Sequence, residues 1–427
     1  MSSFKIPYGT KELEINIEPN VEIELIKPKD AKCSLDCVKS LQDALENPIN
    51  TKPFSEIISD KPKKIVFVID DYTRKFPNVL IIPPILDILK NRGILKENIT
   101  FLMGCGTHKE PNQEHIKKLF FDKNGKNVLE GYRLVWNDIH KSKFKNIGTT
   151  SRGTPIEINE EYLNSDIRIL LTDLQYHYYA GFGGDRKSIL PGVASEKAID
   201  RNHSLLIDPK AKAGNLNGNP IHLDMLEIAQ KVGVDFVVNV ITDLNNEIID
   251  IKAGALNDAF LEAIKIYDSS YKIELTSKSD MIILSAGGYP KDINLYQALK
   301  GLEHCRSAVK DNGFIFFIAE CNEGIGHQVF DEWMDKYNTL EKVSKQLQTK
   351  FKMGGHKVYY LLLAKKQTPN IFLLSKLPEN QVKNKFFLTP ISDEKSLERI
   401  INDTIKKNNI KKIYLIPNGG DILIEIK

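Results

Sequence analysis

Short, unbroken apolar runs recur along this chain, and a polar turn follows each of them at once. Ile65-Val-Phe-Val-Ile69 leads into Asp70-Asp-Tyr-Thr-Arg74, Ile99-Thr-Phe-Leu-Met103 into Gly104-Cys-Gly-Thr-His108, and Ile167-Arg-Ile-Leu-Leu-Thr172 into Asp173-Leu-Gln-Tyr-His177. Further along, Met281-Ile-Ile-Leu-Ser285 leads into Ala286-Gly-Gly-Tyr-Pro290, Phe314-Ile-Phe-Phe-Ile-Ala319 into Glu320-Cys-Asn-Glu-Gly324, and Ile413-Tyr-Leu-Ile416 into Pro417-Asn-Gly-Gly-Asp421. Runs this short, with no polar alternation, suit strands covered on both faces, as in parallel sheets. Helix-like segments lie between them, at 79–92, 257–267 and 396–407. Alternation of the two patterns predicts an α/β fold with mainly parallel, doubly wound sheets. Such sheets bind ligands outside the carboxyl ends of their strands, so the polar turns are where chemistry is expected.

Length and composition refine this picture. A chain of 427 residues exceeds the roughly 250–300 that one core usually organises. Near Tyr267–Ser279 a helix-like run gives way to polar and charged residues. That break predicts two domains, 1–270 and 271–427, with the active site in the cleft between them. Fifty-nine basic side chains balance 56 acidic ones to a net +3, so nucleic acid is not an expected partner. The basic tract Lys406–Lys412 reads as a solvated helix end. No apolar run approaches the roughly 18–20 residues of a membrane span, and the first residues lack a signal-peptide core. The five cysteines are few and scattered, which fits a reducing cytoplasm. Cys33 and Cys37 lie four apart, but no second pair completes a zinc site.

The turns carry the candidate chemistry. Gly181-Phe-Gly-Gly-Asp-Arg-Lys-Ser188 is superficially like a phosphate-binding P-loop, but Arg186 stands where the motif needs glycine. Gly104-Cys-Gly106 lacks the third glycine of a dinucleotide fingerprint. Glycines with Arg186 and Lys187 suit an anionic ligand; a tight structural turn with solvated basic residues explains them about equally well. His108 and His177 each follow a strand, where imidazoles can serve as acid and base. His203 lies in a helix-like stretch, 194–207, and His356 is a weaker candidate for a site rim. Asp71, Tyr72, Thr73 and Arg74 bring together a carboxylate, hydroxyls and a guanidinium. They suit anion binding, and equally a helix start capped by Thr73 or Asp71. Tyr296 and Lys300 are four apart and share one helix face, and Gln297 lies beside them. They could hold a carboxylate, although an ordinary amphipathic helix accounts for them as well.

Taken in order, these motifs resemble the nickel-dependent lactate racemase family over roughly residues 71–300. The marks are Asp71-x-Thr-Arg74, Gly106-Thr-His108-x-x-Pro111, His177-x-x-Ala-Gly-Phe-x-Gly, Arg186-Lys-Ser-x-Leu-Pro-Gly192, Asn202-His203, and Gly287-Gly-Tyr-Pro290 with Tyr296-Gln-Ala-x-Lys300. The resemblance implies a racemase or epimerase that inverts C2 of a 2-hydroxy acid. The reaction would run by hydride transfer to and from a nickel-pincer nucleotide, Ni(II)-pyridinium-3,5-bisthiocarboxylic acid mononucleotide. It implies covalent attachment of that cofactor at Lys187 and nickel ligation by His203. His108 and His177 would be the paired acid and base, and Asp71, Tyr72, Thr73 and Arg74 would line the cofactor. Arg74, Tyr296, Gln297 and Lys300 would contact substrate. Partners would be the small-molecule substrate and the proteins that make the cofactor.

Two departures from the family pattern bear on specificity. The family's G-F-S-G-G-R-K run reads Gly181-Phe-Gly-Gly-Asp-Arg-Lys187 here. The tryptophan that lactate enzymes carry near the substrate has no counterpart at 351–360; the chain's two tryptophans are Trp136 and Trp333. Lactate is the leading substrate expectation, with malate or a sugar acid as the alternative. A non-catalytic carboxylate- or phosphate-binding protein on the same scaffold is the other class.

Overall fold

A computed structural model describes residues 2–29, 36–58, 64–74 and 76–427. Cys33 lies outside the described residues, so its spacing to Cys37 has no structural reading. The chain divides into two compact units, one of residues 30–269 and the other of residues 1–29 with 270–427. The break at 269/270 falls in the expected region, but the N-terminal segment differs from the expectation of a 1–270 domain. Its hairpin, Ser2–Tyr8 with Lys11–Ile17, packs with the C-terminal unit. The cause is legible in the hairpin's period-two pattern. Ile6, Tyr8, Leu13, Ile15 and Ile17 all point one way and enter a core with Met281, Ile283, Phe316 and Ile401.

The 30–269 unit is built on a six-stranded sheet: β1 Ile65–Asp70, β2 Ile99–Gly104, β3 Arg133–Trp136, β4 Ile167–Asp173, β5 Phe236–Thr242 and β6 Ile248–Gly254. Their order across the sheet is β3-β2-β1-β4-β5-β6, all parallel except β6. The continuous apolar runs are explained by cover on both faces. Phe67, Ile69, Phe101, Met103, Ile169 and Leu171 pack with helix α1, Asn78–Asn91, through Ile81, Ile85 and Leu89. Val66, Val68, Leu102 and Leu170 on the opposite face are equally buried. The strand order reverses between β1 and β4, which opens a crevice at their carboxyl ends. The order is that of dinucleotide-binding sheets, yet β1 runs into Asp70-Asp-Tyr-Thr-Arg74 where such sheets carry their glycine-rich turn.

The second unit has a wholly parallel sheet of β7 Ser279–Ser285, β8 Val309–Ile318, β9 Asn370–Leu374, β10 Thr389–Ile391, β11 Lys412–Ile416 and the N-terminal strand Glu22–Leu25. Its order, β10-β9-β8-β7-β11 and then Glu22–Leu25, reverses between β7 and β11. The Gly287-Gly288 and Gly419-Gly420 turns follow those two strands. Among the described residues no helix is long and apolar enough to cross a membrane.

Candidate active site

The crevice between β1 and β4 collects the N-terminal candidates. Asp71 opens the turn after β1 and is 3% exposed. One carboxylate oxygen accepts from the Thr73 backbone N–H at 2.8 Å and from the Thr73 hydroxyl at 2.5 Å. The other is 2.5 Å from Nδ1 of His108, at the end of the turn after β2. Burial alone would raise the Asp71 pKa, but His108, Arg74 and Thr73 outweigh it and hold the carboxyl down at about 2. Asp71 therefore orients His108. Neither it nor Thr73 caps a helix, because α1 begins only at Asn78, after Pro77, with no side-chain cap. Tyr72 stacks on His115, with ring centroids 3.8 Å apart. This contact joins helix Gln113–Phe120 to the Asp71 turn, and no sequence spacing signals it.

Sequence reasoning also missed Asp70. Its carboxylate accepts the Asp173 backbone N–H at 2.7 Å, across the switch point. Burial, then the neighbouring Asp173, pushes the Asp70 carboxyl up to about 7. The first turn thus holds one firmly ionised carboxylate beside one poised near neutrality.

The segment after β4 doubles back on itself, pairing Tyr176-His177 with Gly181-Phe182. Gly181 has φ +80°, and a Cβ there would come within 2.5 Å of the Asn215 carbonyl, so only glycine fits. His177 is 8% exposed. Tyr178 stacks on its ring at 4.8 Å, and Tyr179 meets it edge-on at 4.4 Å. The Tyr179 ring also meets His203 edge-on at 5.0 Å, linking the two histidines.

Arg186 corrects the expectation of a solvated or ligand-facing cation. It is fully buried. Its guanidinium donates to the carbonyls of Ala180 at 2.9 Å, Phe182 at 3.0 Å and Gly184 at 3.1 Å, and to Nδ1 of His222 at 3.0 Å. It also lies 4.3 Å from the Phe260 ring centroid. These bonds satisfy backbone carbonyls that the loop cannot satisfy itself, so Arg186 clamps the loop from inside. Lys187, next along, lies deep in the unit but keeps part of its surface open. Burial, with Arg74 and Arg186 nearby, lowers its pKa well below the usual lysine value. The following Pro191-Gly192 is pressed against the His108 turn. The Gly106 N–H donates to the Gly192 carbonyl at 3.0 Å, and a Cβ on Gly104 would lie 3.2 Å from the Gly192 Cα. Glycines at 104, 106 and 192 thus bring the turns of His108 and Lys187 together.

Asp185, the departure from the family run, is fully buried at φ +52°. Its carboxylate accepts from the backbone N–H of Arg186 at 2.7 Å and of Asn257 at 3.2 Å. Burial raises its pKa to about 6, with Arg186 and the two N–H groups opposing. A raised folded-state pKa makes its contribution to stability full below about pH 4 and lost as pH climbs through about 6. Asp185→Asn keeps the positive φ accessible and removes the titration. Relative to wild type, the variant should gain roughly 2–3 kcal/mol between pH 4.5 and 7.5 in urea unfolding. A difference independent of pH would show that the carboxylate is not penalised.

His203 ends helix α2, Glu196–His203, so the expected 194–207 helix stops there and continues only as a 3-10 turn, Ser204–Ile207. It is 1% exposed, and its Nδ1 lies 3.2 Å from the Asn202 side-chain oxygen. Asn202 is itself fixed by its amide to Asp224 at 2.9 Å, and Asp224 accepts from Thr150 and Thr154. Burial, then Lys187, lowers the His203 pKa to about 3, so the imidazole is neutral. Among the described residues no group of three or more His, Cys, Asp or Glu is arranged to hold a metal ion.

In the other unit, Tyr296, Gln297 and Lys300 lie on the partly exposed face of helix α3, Leu295–Cys305, while Ala298, Leu299 and Leu302 face the core. Tyr296 stacks on His327 at 4.7 Å. The ammonium of Lys357, 1% exposed, lies 5.3 Å from the Tyr296 ring centroid. Burial, then Lys300, lowers the Lys357 pKa well below the usual lysine value. His356, expected at a rim, is instead fully buried in helix α4, Gly355–Gln367. Trp333 packs against Gly355, close enough that a Cβ there would meet its ring at 2.2 Å. A tryptophan absent from 351–360 in sequence is therefore beside that segment in space.

Comparison with known proteins places this geometry. Residues 8–214 match the lactate racemase N-terminal domain, and residues 274–424 match the lactate racemase C-terminal domain. A lactate racemase of Thermoanaerobacterium thermosaccharolyticum is 29% identical over the whole of both chains. One from Lactiplantibacillus plantarum is 32% identical over 300 residues, 68% of each chain. The solved lactate racemase apoprotein of the former organism superposes with a TM-score of 0.88, covering 99% of this chain and 100% of that one. A Thermotoga maritima protein of 17% identity, covering 94% of this chain and all of that one, shares the fold at a TM-score of 0.65. The chain belongs to the lactate racemase family and is an isomerase of the racemase type.

Proposed function

We propose that the protein racemises lactate with a nickel-pincer nucleotide tethered to Lys187 and bound through nickel to His203. The observation that carries this reading is the pairing of two unusual side chains. Lys187 is a deeply set amine whose charged form is disfavoured by burial and two arginines, yet part of its surface stays open. A neutral amine is the form that can be acylated. His203 is a neutral imidazole whose Nδ1 faces Asn202, which leaves Nε2 to carry the lone pair a metal needs. A nitrogen donor suits nickel completed by soft ligands on the cofactor. The Ser188 hydroxyl, 6% exposed beside Lys187 and without a hydrogen-bond partner, is a further polar group available to such a ligand.

When bound, the cofactor supplies an acceptor for the C2 hydrogen and its electron pair, and can return them to either face. The protein's own residues do the rest. Arg74 anchors the substrate carboxylate, with Tyr296, Gln297 and Lys300 as further contacts, so that C2 is held in a reactive orientation. His108 and His177 exchange the hydroxyl proton, one for each enantiomer. Asp71 holds the His108 ring and stabilises it when protonated. Asp71, Tyr72, Thr73 and Arg74 line the cofactor.

The assignment of roles is tested by single substitutions in protein made together with the cofactor-synthesis enzymes. His203→Ala should lose nickel, measured by metal analysis of the purified protein. His108→Ala should keep nickel and lose turnover by roughly 10²–10⁴-fold, the usual range for a general acid or base. Equal nickel content in both variants would overturn the division of roles.

A further inference from the structure

The two histidines assigned to proton exchange have surroundings that differ in kind. In both, Nδ1 meets a hydrogen-bonding group of the protein. The partners of those nitrogens have opposite hydrogen-bonding character.

At His108, Nδ1 faces the Asp71 carboxylate. That carboxylate is ionised, and its other oxygen already accepts twice from Thr73. An ionised carboxylate only accepts. The His108 Nδ1 must therefore carry a hydrogen, and in the neutral ring the lone pair sits on Nε2. At His177, Nδ1 receives the Ala180 backbone N–H at 3.2 Å. A peptide N–H only donates. The His177 Nδ1 must therefore be bare, and in the neutral ring the hydrogen sits on Nε2. Tyr178 and Tyr179 fix the plane of that ring, and the Arg186 bond to the Ala180 carbonyl fixes the loop that supplies the N–H.

We infer that His108 and His177 rest in opposite neutral tautomers, with a bare Nε2 at His108 and a protonated Nε2 at His177. The pair is unequal before any substrate binds. His177 can accept a proton at Nε2 only after the hydrogen there moves and the Ala180 N–H loses its acceptor. Asp71 is accordingly a positioning residue whose work is to select the His108 tautomer.

The kinetic consequence rests on the racemase reading. A racemase has an equilibrium constant of one, so kcat/KM must be equal for the two enantiomers at every pH. Inequality between the bases can appear only in kcat and KM separately. The enantiomer whose hydroxyl meets His108 should show the higher kcat and a KM higher by the same factor.

The tautomers themselves need no cofactor. Nitrogen-15 NMR of histidine-labelled apoprotein separates protonated from bare ring nitrogens. His108→Gln and His177→Gln assign the two signals. Each ring is read above its own titration midpoint, measured in the same spectra. The expected result is a bare Nε2 at His108 and a bare Nδ1 at His177. In Asp71→Asn the His108 signal alone should change, toward a mixture or the reverse tautomer. The same tautomer at both rings, or rapid averaging at either, overturns the inference. It would leave the cofactor reading untouched, because that reading is tested by adduct and metal content.

Discussion

Lys187→Met should abolish racemisation and leave the protein folded. Burial, with Arg74 and Arg186 nearby, already disfavours the charged form of the side chain it replaces. Methionine is similar in length and carries no charge, so the electrostatic change is small and the packing change modest. Thermal midpoint and circular dichroism should match wild type closely. Activity should fall on the order of 10⁴-fold or more, the scale seen when one member of a set of groups that act as a unit is removed. Lys187→Arg is the harsher variant for stability. It would place a permanently charged guanidinium next to two others in a desolvated pocket. If Lys187→Met retained more than a few per cent of activity, the lysine would not be the attachment point.

The second large effect falls on Arg186, and it is an effect on stability first. Arg186→Met leaves the carbonyls of Ala180, Phe182 and Gly184 without their donor and removes the proton donor to His222. It also leaves Asp185 buried without the cation that favours its ionised form. Removing one member of such a buried network costs about 3–5 kcal/mol. Denaturant unfolding followed by tryptophan fluorescence would measure it. The activity loss should exceed what the remaining folded fraction explains, since the loop carrying His177 and Lys187 loses its internal clamp. Arg186→Lys should recover only part of the stability. A lysine supplies three donors on a flexible stem and cannot reproduce the planar fork. A destabilisation below about 1 kcal/mol would mean that water replaces the guanidinium and that the clamp is not the reason arginine stands there.

Much of the fold was readable because burial on both faces leaves a plain signature. The six apolar runs singled out in the sequence all form strands, with only Ala319 falling just past the end of its strand, and the turns that follow β1, β2 and β4 do meet at the switch point. Strands that depart from that signature were harder to see. The edge strand Arg133–Trp136 is partly exposed and short, and β6 mixes polar residues into its run because it lies at an antiparallel edge. The N-terminal hairpin alternates cleanly, but alternation says which face is apolar and not which core receives it. Only long-range packing against Met281 and Phe316 settles its place.

The candidate residues divide in the same way. Position at a strand end picks out His108 and His177 from the chain alone. The state of each depends on a partner remote in sequence or on a turn that sequence does not specify. Asp71 was legible as an anion-binding or capping group, whereas its bond to His108 joins residues 37 positions apart. Arg186 misled because basic residues after glycines usually face solvent or ligand. Its burial follows from the doubling back of residues 176–182, which leaves three carbonyls pointing inward. Asp70 carries no motif, and its raised pKa comes from Asp173 on the neighbouring strand.

The central claim is that Lys187 tethers a cofactor which enables inversion at C2 of lactate. Intact-protein and peptide mass spectrometry of chain made alongside the cofactor-synthesis enzymes tests it most directly, with the same sample assayed on each lactate enantiomer. The account predicts a mass increment mapped to the peptide containing Lys187, absent from Lys187→Met, in a sample that converts either enantiomer to the racemate. An unmodified Lys187 in a sample that nonetheless racemises lactate would contradict it.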